Sequence, residues 1–228
     1  MRKLMMSVAV ATAICSAAPA AAEDFNITLV PGLTTDAFNI TMNRGGQAAA
    51  EAHRTGRGII TVDTFIDDGK YQDGAGDGDF PLSYVTSDNV GGGRMAARFM
   101  AEAIGGEGKV YVSNVRPGIS TTDQREEGFK AEMAENFHKV TVLDTQYNEN
   151  DASHADSQFN AVLARNDDIK GVFGANLFSA LGAGNGVEGA GKSGDVTVIA
   201  FDAPQSIVDN ISSGLVDAAI AQHPAEIG

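Results

Sequence analysis

The chain has 228 residues, 43% of them hydrophobic, and a formal net charge of −14. That length and apolar content support one large or two small domains with a real core. The acidic surplus excludes nucleic acid and anionic lipid surfaces as natural partners.

Residues 1–22 read as a cleaved secretory signal: Arg2 and Lys3 lead an apolar stretch too short to span a bilayer, and Ala20-Ala21-Ala22 precede Glu23. Ile14 before Cys15, the single cysteine, is too bulky for a lipid-attachment signal, so the mature chain is expected to lack disulfides and thiol chemistry. Residues 25–30 (FNITLV) form an expected strand, 38–53 a helix and 58–63 (GIITVD) a second strand. A Gly/Asp-rich loop covers 70–81. Residues 83–86 are short and extended, and Asp88 or Asn89 is placed to cap a helix over 90–104. Strands at 109–113, 140–145, 171–174, 196–201 and 215–221 then alternate with helices at 121–136, 152–165, 178–188 and after Asp202. Such alternation predicts an α/β fold, a parallel sheet with helices on both faces. Gly105-Gly106-Glu107-Gly108 is the expected hinge, dividing an N-terminal lobe (23–106) from a C-terminal lobe (107–221).

Several motifs carry less than their spelling suggests. Gly186 to Ser193 (GVEGAGKS) matches a phosphate loop, but it closes a helix and precedes a strand, the reverse of the order that aims backbone N–H groups at phosphate. The Asp73–Asp79 run lacks the glutamate that completes a calcium loop. His53, His138, His154 and His223 have no metal-ligand spacing. Ser120-Thr121-Thr122 has no histidine placed for a triad and is expected to start and cap a helix. No cofactor or metal is called for, and no general acid–base pair marks an α/β enzyme.

The strand ends are more telling. Strand 196–201 runs into Asp202, and the last strand into Gln222, His223 and Pro224. Ligands of open parallel sheets sit beyond the carboxyl ends of strands. Acids there accept hydrogen bonds, amides donate and accept, and no activated nucleophile accompanies them. That chemistry grips hydroxyls without altering them.

Seven segments occur in a fixed order: 30–45 (VPGLTTDAFNITMNRG), 60–64 (ITVDT), 87–97 (SDNVGGGRMAA), 119–129 (ISTTDQREEGF), 173–183 (FGANLFSALGA), 198–204 (VIAFDAP) and 220–224 (IAQHP). That order resembles the ribose-binding-protein-like periplasmic sugar-binding proteins of bacterial ABC importers. The resemblance implies two α/β lobes joined by a hinge, a monosaccharide or polyol held between them, an ABC transporter permease as partner, and a monomer in the periplasm with no stable membrane insertion. Carried over by motif, it places Asp36, Phe38, Asn39, Asp63, Thr64, Asp123, Arg125, Asn150, Asn176, Asp202 and Gln222 at the ligand. The same site would serve a sugar sensor for a membrane receptor. Against the family pattern, roughly two βα units are missing between His53 and Gly58, and 222–228 begin a return crossover that is cut short. The N-terminal lobe is therefore expected to be incomplete, and a binding-dead fragment is a further reading. A repressor is disfavoured by the leader and the acidic charge.

Overall fold

The computed structural model describes residues 60–64 and 83–227. Within them, β1 (Ile60–Val62) and β2 (Ser83–Val85) form a small parallel sheet. Helix α1 (Asn89–Ala103) leads to β3 (Gly108–Asn114), α2 (Ser120–Asn136), β4 (Val140–Val142), β5 (Gln146–Tyr147), α3 (Ala152–Arg165), β6 (Ile169–Gly174), α4 (Leu177–Gly189), β7 (Thr197–Phe201), α5 (Gln205–Ser213), β8 (Ala218–Ile220) and α6 (Pro224–Ile227). The larger sheet is parallel, in the order β4-β3-β6-β7-β8, with β5 also on β3. The expected doubly covered sheet is present.

Period-two alternation builds a core on each face. Val110 and Val112 of β3, Phe173 of β6 and Ile199 and Phe201 of β7 face α1 and α2, meeting Ala96, Ala97, Met100, Phe129 and Met133. Tyr111, Val172, Val198 and Ala200 face the other way, against Phe159 and Val162 of α3 and Ala180, Ala183 and Val187 of α4. Phe129 stacks on Phe173 with ring centroids 5.0 Å apart. The two helices on the first face approach closely because glycines meet there: a Cβ on Gly93 would lie 2.1 Å from the carbonyl oxygen of Arg125, and one on Gly128 2.1 Å from that of Val90. Arg94 and Arg98 of α1 then pair with Glu132 of α2 at 2.9 and 2.7 Å.

Tyr111 is fully buried, and its hydroxyl has no hydrogen-bond partner among the described residues. Burial pushes its ionisation well above the usual tyrosine range. A buried polar atom without a partner costs more than its apolar replacement. Tyr111→Phe is therefore expected to raise the unfolding free energy by about 1 kcal/mol, read from the urea midpoint at unchanged slope. A drop in midpoint would show that the hydroxyl has a partner.

Several boundaries differ from the sequence reading. The strand expected over 140–145 ends at Val142, and β5 begins only at Gln146; in the link between them the Thr145 hydroxyl donates to the Glu126 carboxylate at 2.6 Å. The last strand is shorter than 215–221: Leu215 and Val216 donate to the Asn210 carbonyl and close α5 instead. Asp88 caps α1, accepting from the Gly91 N–H at 2.8 Å. The Ser-Thr-Thr run begins α2, yet the N-cap is Ile119 with no side-chain bond. The phosphate-loop lookalike closes α4, as its order in the chain implies. The Gly105–Gly108 turn is not a boundary between packed bodies: α1 before it and β3 after it share one core. The chain passes between the two sheets earlier, at residues 86–88.

Candidate functional site

The carboxyl ends of the parallel strands bring most of the expected residues to one edge. Asp63 follows β1 and Asp202 follows β7, with φ of 64° and 78°. Asn150, after β5, has φ of 63°. These are left-handed conformations that Asp and Asn tolerate better than other side chains, and such strain gathers where side chains are aimed for use. The Asp63 carbonyl accepts from Tyr84 Oη at 2.7 Å and Thr86 Oγ1 at 2.9 Å, which fixes the end of β1 against β2. Thr64 Oγ1 donates to the Asp63 carboxylate at 3.1 Å and lies 3.5 Å from Thr121 Oγ1 on α2, linking the small sheet to the large unit.

Arg125 projects from α2 beneath these ends and is only 3% exposed. Its Nε donates to Asn89 Oδ1 at 2.8 Å, one terminal nitrogen donates to the Ala175 carbonyl at 2.9 Å, and the guanidinium lies 3.8 Å from the centre of the Phe201 ring. Burial pushes the guanidinium below the ordinary arginine range, while Asp202, Asp63 and Tyr84 oppose that shift. The Arg125 guanidinium thus lies in the field of acids that follow β1 and β7.

Gln222, just past β8, donates from Nε2 to Asp202 Oδ1 at 2.5 Å and accepts from Ser87 Oγ at 2.6 Å. A groove of about 680 Å³ opens beside it between α1 and β8, with Thr86, Ser87, Met95, Phe201 and His223 in its lining. Asn176 follows β6. Its Oδ1 caps α4 by accepting from the Ser179 N–H and hydroxyl, and its Nδ2 donates to Asn150 Oδ1 at 2.6 Å. Asp123 sits on α2, where its carboxylate accepts from the Gly118 N–H at 2.7 Å and, at 3.5 Å, from Asn114 Nδ2. Asp63, Thr64, Asp123, Asn150, Asn176, Asp202 and Gln222 are all half-buried. Asp36, Phe38 and Asn39 lie outside the described residues.

Two supporting residues escaped the sequence reading. Asn114, at the end of β3, donates to Glu126 at 2.7 Å. Burial pushes the Glu126 carboxyl up, but bonds from Lys130, Thr145 and Asn114 outweigh it and hold the group below its usual range. Asn148 is fully buried; it donates to Ser113 and Ser179 and accepts from the Asn150 N–H. The signal for Asn114 was present: Ser113-Asn114 ends an otherwise apolar strand. Asn148 has none, because it lies in an irregular link between predicted elements.

A family model for the periplasmic binding protein domain matches residues 44–228. The chain belongs to the periplasmic binding protein family. The ribose import binding protein of Haemophilus influenzae is 34% identical over 80% of this periplasmic binding protein and 58% of its own length. The D-allose-binding periplasmic protein of Escherichia coli is 29% identical over 78% and 57%. The chain thus spans a little over half the length of these curated relatives. A solved ABC transporter solute binding protein from Agrobacterium vitis, bound with alpha-D-tagatopyranose, is 54% identical at a TM-score of 0.80, covering 86% of this chain and 83% of that one. The relatives are named as binding proteins, not enzymes. Among the described residues no helix is long and apolar enough to cross a membrane, and the expected leader lies outside them.

Proposed function

We propose that the protein is a periplasmic substrate-binding protein that captures a monosaccharide or polyol at the strand ends and delivers it to an ABC transporter permease. The observation that carries this reading is the row of half-buried acids and amides at Asn176, Asp202 and Gln222, on the ends of the adjacent strands β6, β7 and β8. Ionised acids accept from sugar hydroxyls, amides and Arg125 donate to sugar oxygens, and charge-assisted bonds in a half-enclosed crevice are the strong ones. Supporting it, the relative that is 54% identical holds a ketohexose. In this reading the acids and amides hold the ligand without altering it, and the ligand leaves as it arrived. Asp63, Thr64, Asp123, Arg125 and Asn150 complete the proposed site, with Asp36, Phe38 and Asn39 from the first segment. Export through residues 1–22 and the monomeric state belong to the same proposal.

Isothermal titration against D-tagatose, D-allose, D-ribose, other pentoses and hexoses, and polyols tests it. One-site heat with at least one sugar is expected. Silence across the whole panel, from protein shown to be folded, overturns the reading.

A further inference from the structure

We infer that Ser87 is a positioning residue that, together with Asp202, holds the Gln222 amide in the one orientation the ligand meets. The inference deepens the sugar-binding reading and rests on it for the ligand.

The argument starts from Asp202. An ionised carboxylate can only accept hydrogen bonds, so the amide atom facing it must be the donor, Nε2. The Gln222 oxygen is then turned away, towards Ser87 Oγ at 2.6 Å. A serine hydroxyl both donates and accepts, so it alone would tolerate either amide orientation. Together with the carboxylate it tolerates one. The result is a chain of fixed sense: Ser87 O–H to Gln222 Oε1, then Gln222 Nε2–H to Asp202 Oδ1. With one lone pair of Oε1 taken by Ser87 and one hydrogen of Nε2 taken by Asp202, Gln222 has a single donor left to offer, the second N–H. The ligand oxygen at that position must therefore accept. A hydroxyl, ring or ether oxygen satisfies it, whereas a ligand group that can only donate leaves the N–H unpaired in a half-buried place, which discriminates sharply. Asn176 follows the same pattern: its Oδ1 accepts from Ser179 and one Nδ2 hydrogen goes to Asn150, which leaves its second N–H as the remaining donor. Ser87 lies on the segment joining the two sheets, so this orientation also depends on where that segment sits relative to β8.

The test uses Ser87→Ala and Ser87→Thr in the full chain. In ligand-free protein, the Gln222 side-chain amide signals, assigned by their loss in Gln222→Ala, are expected to shift and broaden in Ser87→Ala and to return in Ser87→Thr. With D-tagatose or the best panel sugar, affinity is expected to fall about tenfold in Ser87→Ala, the size of one lost buried hydrogen bond, and to recover in Ser87→Thr. Unshifted Gln222 signals in Ser87→Ala overturn the inference whatever the sugar data say. Shifted signals with unchanged affinity overturn the ligand half of it. If the wild-type protein binds no sugar, the function reading fails, while the amide signals still decide the role of Ser87.

Discussion

Asp202→Ala is expected to abolish measurable sugar binding. Asp202 stands at the end of β7 with φ of 78°, a conformation that aims its carboxylate across the sheet end towards Gln222 and into the field of Arg125. Truncation removes an acceptor for a ligand hydroxyl, releases the Gln222 amide and takes one acid from a buried guanidinium. Removing one partner of a buried, hydrogen-bonded charge costs roughly 2–5 kcal/mol, or about thirtyfold to several thousandfold in affinity. Asp202→Asn keeps the shape and tolerates the backbone conformation, so its loss should be smaller. Titration of the panel sugar that binds wild type best gives both numbers. An alanine variant within threefold of wild type would remove Asp202 from the site.

The second large effect belongs to the fold. Gly128→Ala is expected to destabilise the protein by about 3 kcal/mol, the upper end for overpacking a well-packed contact. Its Cβ would sit 2.1 Å from the Val90 carbonyl oxygen and 2.9 Å from the carbonyl carbon, and neither is the far end of a flexible side chain. Helices α1 and α2 would have to move apart. Gly93 makes the reciprocal contact with the Arg125 carbonyl, so the movement also displaces the residue that carries the buried guanidinium. Sugar affinity should therefore fall with stability, although Gly128 is not itself one of the proposed site residues. Urea unfolding measures the first effect and titration the second. A midpoint equal to wild type would mean that the crossing is looser than it looks.

Much of the architecture was legible because the core alternates with the pleat. VYV at 110–112 and VIAF at 198–201 have the unbroken apolar run of a strand covered on both faces, and the structure supplies a helix layer for each. The edge carrying Asp202 and Gln222 followed from the rule that such strands present ligands at their carboxyl ends. The surroundings of Arg125 were not legible. Its neighbours Asn89 and Ala175 lie 36 and 50 positions away, and Asn89 on α1 reaches it where two glycines let α1 and α2 close up. Asn89 looked like a helix cap. Asp88 does the capping, and Asn89 instead ties Arg125 to Thr86. Asn176 shows the limit of reading a strand-end amide one way: half of its side chain caps α4, and the other half faces Asn150.

The glycines at 105, 106 and 108 mislead for a physical reason. Glycine clusters serve hinges and tight reversals alike, and here the reversal uses φ of 76°, 77° and 132°. The turn joins two elements of a single core, and a Cβ at 105 or 106 would meet nothing within 4 Å. A nick or a spliced-in peptide there is expected to leave both sides together, because burial as well as chain continuity holds α1 against β3. An engineer wishing to graft a reporter onto this molecule has an address at Gly105-Gly106, on the surface and away from the strand ends that carry the proposed site.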